Sequence, residues 1–160
     1  MTYTEADFDR LSWHDCHIWA VELRAGDSDD QDWTSELVFD IDYIVEWICG
    51  VGSGGQFRVA PATIVFHGVT DPRIDIDWGC SGFQASLHPV SIGSVERELI
   101  QNQKVFLDRP YYIWKIHLNW PDTSEIVFGA VGFIQTLRAE PVLTGKQYLS
   151  FKKRNRLTNR

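Results

Sequence analysis

The chain has 160 residues, of which 44% are hydrophobic and 13% aromatic, including seven tryptophans. This apolar content excludes an intrinsically disordered protein, and the length suffices for one domain with its own core. Fifteen basic residues against 22 acidic ones give a net charge of −7, which disfavours a nucleic-acid-binding protein because it repels phosphates.

The chain begins with MTYTEADFDR, a polar and acidic segment unlike the basic start of a secretory signal peptide. No apolar run approaches the roughly 20 residues of a membrane span. Three single cysteines without a CxxC pair are typical of reduced thiols: Cys16, Cys49 and Cys80. We therefore expect a cytoplasmic protein that does not enter a membrane.

Alternation of apolar and polar residues is the main secondary-structure signal. In chain order, residues 4–11 (TEADFDRL) predict a short helix with Thr4 as N-cap, and residues 11–23 (LSWHDCHIWAVEL) predict the first long strand. Residues 36–47 (ELVFDIDYIVEW) have one apolar face and one acidic face, as a strand buried on one side does. Two later segments repeat this alternation, 73–78 and 111–120.

Turn-forming residues separate these strands. Residues 49–56 (CGVGSGGQ) and 120–125 (WPDTSE) have the glycine, proline, aspartate and serine of hairpin loops. Residues 94–103 fit a helix or a strand, and residues 146–154 predict a closing helix. The sequence therefore predicts an all-β fold, an antiparallel β-sandwich or barrel of about eight strands with short terminal helices.

Three residues within the predicted strands have positional meaning. Pro61 lacks a backbone N–H, so it predicts a bulge or a sheet edge. Gly129 and Gly132 stand among large side chains and predict bulges or a close approach of another group to the backbone.

The sequence has no linker and no low-complexity segment, so we expect a single globular domain over residues 1–160. The charged residues of the last nine are all basic: Lys152, Lys153, Arg154, Arg156 and Arg160. We expect residues 152–160 to form a solvated basic tail that could be flexible. The alternative is that this tail contacts RNA or an anionic surface. Without the tail, ten basic residues remain against 22 acidic ones, a net of −12 that favours a basic partner.

The segment HDCH, residues 14–17, combines four side chains that can bind metals or move protons. On a strand, His14 and Cys16 point to one face while Asp15 and His17 point to the other, so the four cannot surround one metal ion. The bulky residues that follow at odd positions predict that Asp15 and His17 are the buried pair: Trp19, Val21 and Leu23.

Three interpretations of this segment stay open. In the favoured, structural one, Asp15 accepts a hydrogen bond and ties the start of the strand to its neighbour. In the second, the segment supplies half of a metal site, completed by an aspartate or by one of three distant histidines: His67, His88 and His117. In the third, it carries out acid–base catalysis.

Four aspartates on predicted strands form a candidate acidic face. If the strands 36–47 and 73–78 are neighbours, Asp40, Asp42, Asp75 and Asp77 lie on adjoining rows. Like charges placed opposite one another destabilise a sheet unless something neutralises them. Such a face is either solvated, or a docking surface for a cationic partner, or a Mg²⁺ or Ca²⁺ site.

The opening Trp13-His14-Asp15 with its apolar alternation up to Leu23, together with residues 111–138, resembles known sequences. They are small, mostly uncharacterised bacterial β-sandwich families whose first long strand starts with an aromatic residue, histidine and aspartate. Some of these relatives are predicted immunity proteins of bacterial toxin systems. The resemblance implies an acidic cytosolic binding protein without catalysis, with Trp13, His14 and Asp15 as the matching positions.

Three hypotheses for the function follow. The favoured one is a non-catalytic, immunity-like binding protein without a cofactor, whose acidic face meets a basic protein partner. Its candidate binding residues are Trp13, His14, Asp15, His17, Asp40, Asp42, Asp75 and Asp77. The second is a metal-dependent hydrolase that uses the region of His14, Asp15 and His17. The third is a small-ligand carrier with an aromatic pocket, although the spacing of the tryptophans favours a core position. The oligomeric state stays open.

Overall fold

The computed structural model describes residues 1–27, 29–31, 34–48, 55–77, 90–101 and 108–158. These residues form ten strands, one 3₁₀ helix and one α-helix. In chain order the elements are β1 (Thr2–Thr4), the 3₁₀ helix (Glu5–Arg10), β2 (His17–Arg24), β3 (Glu36–Ile48), β4 (Gln56–His67), β5 (Thr70–Asp75), β6 (Val90–Leu99), β7 (Tyr112–Trp120), β8 (Glu125–Ala130), β9 (Gly132–Leu137), β10 (Val142–Thr144) and α1 (Phe151–Thr158). The all-β prediction is confirmed, with ten strands in place of about eight.

All the strands belong to one antiparallel sheet in the order β1-β9-β4-β3-β2-β6-β7-β8-β5, with β10 also paired to β4. The described part of this sheet is not closed into a barrel. In the part of the chain that the structure describes, its two halves meet where β2 and β6 pair, through Ile18 opposite Val90 and His17 opposite Ser91.

The two halves of the sheet pack face to face. The Phe66 ring on β4 lies 5.1 Å from the Trp114 ring on β7 and 4.7 Å from the Phe128 ring on β8, centroid to centroid. Because β4 is not a neighbour of β7 or β8 in the sheet, these contacts cross the core. The sheet therefore folds over itself at the β2–β6 junction and gives the two layers of a sandwich.

Strand β3 shows how far the alternation predicts burial. Leu37, Phe39, Ile41 and Tyr43 all lie in the core, as expected. A bulge between Ile44 and Glu46 then shifts the register against β4. The side chains beyond the bulge change face, and the Trp47 side chain is 46% exposed.

The N-terminal segment forms the short helix that the sequence predicts, as a 3₁₀ helix. Thr4 is its N-cap, and the backbone N–H of Thr4 donates to Asp7 Oδ2 at 2.9 Å. The helix is held by Arg97 of β6, whose guanidinium pairs with Glu5 and lies 4.2 Å from the centroid of the Phe8 ring. Arg97 belongs to the segment 94–103 that fitted either a helix or a strand, and residues 94–99 of it lie in strand β6.

Pro61 lies neither at a bulge nor at a sheet edge, contrary to the prediction. It stands inside β4, where the neighbour changes from β10, paired at Val59, to β9, paired from Ala62 onward. The Pro61 carbonyl accepts from the backbone N–H of Arg138 at 2.8 Å, so the Pro61 nitrogen faces the same gap between neighbours. A missing donor costs least at this point.

The predicted close approach occurs at Gly129. A Cβ on Gly129 would lie 1.9 Å from the Tyr111 hydroxyl oxygen. Both predicted hairpins form: residues 120–125 connect β7 to β8, and Ile48 pairs with Gln56 at the ends of β3 and β4. The loop residues 49–54, Cys80 and His88 lie outside the described residues.

No helix among the described residues combines the length and the apolar character that crossing a membrane requires.

Candidate functional site

The HDCH segment places Cys16, rather than Asp15 and His17, in the core. Cys16 is fully buried and accepts from the backbone N–H of Ile44 at 3.4 Å. Burial raises the pKa of the Cys16 thiol to about 12. The predicted inward face is wrong because β2 begins only at His17 and contains a bulge between Ile18 and Ala20. Leu23, expected in the core, is 59% exposed.

Asp15 ties the start of β2 to two distant segments. Its carboxylate accepts from Asn119 Nδ2 at 2.5 Å and from Gln147 Nε2 at 2.8 Å. The His14 Nδ1 atom lies 3.2 Å from Asp15 Oδ2, the oxygen that accepts from Gln147. Asp15 holds a left-handed backbone conformation with φ 62°, which aspartate tolerates better than most residues. These contacts match the structural interpretation of Asp15.

His17 lies under the segment that leads into α1. Its ring is 4.6 Å from the Tyr148 ring, and its Nδ1 atom is buried without a hydrogen-bond partner among the described residues. Desolvation by burial lowers the pKa of His17 below its ordinary value, more than the Asp15 backbone and the carboxylates of Asp42 and Asp15 together raise it. The lowered pKa favours the neutral imidazole near pH 7.

The acidic residues of β3 bind arginines of the same chain. The Arg154 guanidinium donates to Asp42 and Asp40, and to the Ile41 carbonyl at 3.2 Å. Arg138 donates to Asp40 as well, and the backbone N–H of Leu149 donates to Asp42 Oδ2 at 2.8 Å. Asp42 and Arg154 are both buried. Half of the candidate acidic face is thus neutralised inside the protein.

The burial of Arg154 also corrects the expectation of a solvated basic tail. Residues 151–158 form α1, and Arg154 points into the protein between Asp40 and Asp42. The Arg154 guanidinium lies 5.4 Å from the centroid of the Trp19 ring. Residues 159 and 160 lie outside the described residues.

Asp75 and Asp77 lie far from the aspartates of β3 in the sheet. Among the described strands, β5 pairs only with β8, whereas β3 pairs with β2 and β4. The two pairs of aspartates therefore do not lie on adjoining rows. Asp75 is opposite Glu125, and the backbone N–H of Asp77 donates to Ser124 Oγ at 3.1 Å.

The β7–β8 turn brings Asp122 to the same end of β5. Asp75, Asp77 and Asp122 are all exposed there, and we call them the acidic corner. Glu125 beside them already pairs with Arg73 and Lys115.

Trp13 is a core residue. Its Nε1–H donates to Gln135 Oε1 at 2.5 Å, and both side chains are buried. The Trp13 ring also packs edge to face against Phe133, with the centroids 5.0 Å apart. The Trp13 side chain is therefore occupied by core contacts, and its packing does not support the hypothesis of an aromatic ligand pocket.

The described residues contain no group of three or more His, Cys, Asp or Glu side chains arranged to hold a metal ion. The distant histidines serve other contacts: His67 Nδ1 is 3.1 Å from Glu36, and His117 Nε2 is 3.9 Å from Glu96.

The basic residues of the tail were visible in the sequence, but the position of Phe151 and Asn155 beside them on the exposed side of α1 was not. An open hollow of about 480 Å³ lies there, lined by Phe151, Lys152, Asn155 and Arg156. Helical spacing was the available signal. Residues four apart share a helix face, so Lys152 and Arg156 lie together, and Arg154 between them points to the other side.

No protein-family model, curated protein or solved structure matches this chain.

Proposed function

We propose that this protein is a non-catalytic, cytosolic binding protein that recognises a basic protein partner. Its resemblance to predicted toxin-immunity families implies the same kind of role. The observation that supports this most directly is the acidic corner. Asp75 and Asp122 are exposed there, and no cationic side chain among the described residues pairs with either.

The strand beside the acidic corner adds contacts that a protein partner could use. Strand β5 is the last strand of the described sheet, so one row of its backbone groups faces away from β8. Ile74 on this strand is 49% exposed. A partner segment with lysine or arginine and an aliphatic side chain would meet both the carboxylates and the apolar surface.

The contacts of the HDCH segment give the hydrolase hypothesis no support. A metal-dependent hydrolase would need His14, Asp15 and His17 to converge on one ion. Instead, both Asp15 oxygens accept hydrogen bonds from Asn119 and Gln147, and His17 packs against Tyr148.

The test uses a fluorescein-labelled peptide of six Lys-Val repeats and measures its anisotropy in low and physiological salt. We expect wild-type binding that weakens with salt, because exposed charges are screened over about 8 Å at 0.15 M. Asp75→Asn/Asp122→Asn should weaken binding about threefold to tenfold, as expected for two exposed charge pairs.

The matched control is Glu98→Gln/Glu140→Gln, which removes the same charge from other exposed positions. Equal losses in the two double variants, or binding that is insensitive to salt, would reject the acidic corner as the binding surface.

A further inference from the structure

Helix α1 is fixed to the sheet by its inward side. Arg154 binds Asp40 and Asp42, Leu157 packs against the core, and Lys153 Nζ donates to the Leu143 carbonyl at 3.3 Å. Residues spaced three and four apart share a helix face. The anchored side therefore leaves the opposite face of α1 outward in a fixed orientation.

The outward face consists of Phe151, Lys152, Asn155 and Arg156, all exposed. Phe151 is 68% exposed, although moving a phenylalanine side chain out of water is energetically favourable. The hollow of about 480 Å³ on this face is bounded by these same four side chains. We call this surface the α1 face.

The two cations of the α1 face lack the acidic partner that most described cations outside α1 have, Lys146 excepted. Each arginine outside α1, within the part of the chain that the structure describes, forms an ion pair with an acidic residue: Arg10, Arg24, Arg58, Arg73, Arg97, Arg109 and Arg138. Lys152 and Arg156 have no such partner among the described residues, in a protein with an excess of acidic side chains. Two cations without an acidic partner therefore flank an exposed aromatic ring.

We propose that the α1 face is a docking site for a short acidic segment of a partner protein. Carboxylates of that segment pair with Lys152 and Arg156, and an apolar side chain next to them covers Phe151. Arginine offers a carboxylate two parallel N–H donors, and an aromatic ring at an interface contributes the largest apolar contact. This proposal concerns a different surface from the acidic corner and does not depend on it.

Charge and size favour a protein segment over nucleic acid or a membrane. Both of those are extended anionic surfaces, and they would bring further negative charge against a chain of net charge −7. A membrane-bound helix also needs a broad apolar face, whereas the α1 face has a single apolar side chain. A short acidic segment meets the cations without approaching the acidic remainder of the protein.

The binding test uses a fluorescein-labelled peptide of four Glu-Glu-Leu repeats, and anisotropy in 50 mM salt reports its binding to the full chain. We expect Lys152→Gln/Arg156→Gln to weaken binding at least fivefold, and Phe151→Ala to weaken it about threefold or more. The control, Arg10→Gln/Arg58→Gln, makes the same change in net charge at exposed positions and should stay within about twofold of wild type. A control loss equal to that of the α1 variant overturns the proposal, as does unchanged binding in Phe151→Ala.

Further measurements test whether nucleic acid, a membrane or a second copy of the chain occupies the α1 face. A single-stranded 12-mer of DNA, or vesicles containing phosphatidylserine, should bind more weakly than the peptide, and tighter binding of either overturns the proposal. Light scattering should show the same mass for wild type and Lys152→Gln/Arg156→Gln. If wild type is a dimer and this variant is a monomer, the α1 face binds a second copy of the chain, which would overturn the proposal. Circular dichroism and urea unfolding confirm that each variant is folded.

Discussion

Arg154 and Asp42 form an ion pair in which both side chains are buried, although 112 positions separate the two residues in the sequence. Asp42 lies on β3 in the middle of one half of the sheet, and Arg154 lies on α1. Leu149 supplies a further backbone donor to the same carboxylate. This cluster fixes the C-terminal helix to the sheet.

Replacing Arg154 should be strongly destabilising. Arg154→Met leaves Asp42 as a buried charge without its cation, which costs about 3–5 kcal/mol of unfolding free energy. Urea unfolding measures the loss. Arg156→Met, on the exposed side of the same helix, should change stability by no more than about 0.5 kcal/mol. The pair is dispensable if the two variants unfold alike. Asp42→Asn in the Arg154→Met background should recover part of the loss.

The second prediction concerns the buried hydrogen bond from Trp13 to Gln135. Trp13→Phe keeps an aromatic ring but removes the Nε1–H donor and leaves the Gln135 carbonyl oxygen unsatisfied, at a cost of about 1–3 kcal/mol. Trp13→Phe/Gln135→Met removes both partners, so it should be more stable than the single variant. Thermal and urea unfolding test this order. A double variant less stable than Trp13→Phe would show that packing, rather than the hydrogen bond, sets the cost.

The third prediction is a loss of stability in acid that depends on His17. Its folded-state pKa is lowered from 6.5 because burial desolvates the ring, so the unfolded state binds the proton more readily. The contribution of neutral His17 is therefore complete above pH 6.5 and is lost as the pH falls toward the folded pKa. Unfolding free energies at pH 8 and pH 5 should differ more in wild type than in His17→Phe. A His17 titration midpoint above 6.5 by NMR would refute the prediction.

The fourth prediction concerns the reactivity of the Cys16 thiol. Burial raises its pKa from 9.0 to about 12, so the folded state keeps the proton between those values while the unfolded state loses it. The contribution to stability is complete below pH 9.0 and is lost as the pH rises toward 12. At pH 9.5, iodoacetamide should modify Cys16 at least tenfold more slowly in the native protein than in guanidinium, because only the thiolate reacts. Peptide mass spectrometry separates Cys16 from the other cysteines, and equal rates in the two states would contradict the burial.

The sequence predicted the features that depend on neighbouring residues. The alternation from Leu37 to Tyr43 identified one buried face of β3, although Val38, Asp42 and Ile44 on the other face are buried too, and Thr4 marked the start of the first helix. The turn chemistry of residues 120–125 predicted a hairpin, and Gly129 predicted a close approach. Each of these signals is local, since strand period, capping and turn preference act over a few residues.

The features that the sequence did not predict depend on bulges and on distant pairing. One bulge in β2 and another in β3 move the following side chains to the other face. The residues at these two bulges are not of a type that predicts a bulge. The separation of Asp42 from Asp75 follows from strand order, which alternation does not encode. The binding of Arg154 to Asp42 joins two segments whose opposite charges were visible, although nothing in the sequence showed that they meet.

The position of Pro61 has a consequence for the chain while it is being synthesised. Strand β4 follows β3 directly, but β9 and β10, which cover its other edge, are made much later. Until then the β3–β4 hairpin exposes an unpaired edge rich in apolar residues, the kind of surface that pairs with other nascent chains and aggregates. Pro61 interrupts the row of N–H donors in the middle of that edge. Pro61 thus removes a donor from the exposed edge of the unfinished protein, at a place where the finished sheet changes from β10 to β9 as the neighbour of β4.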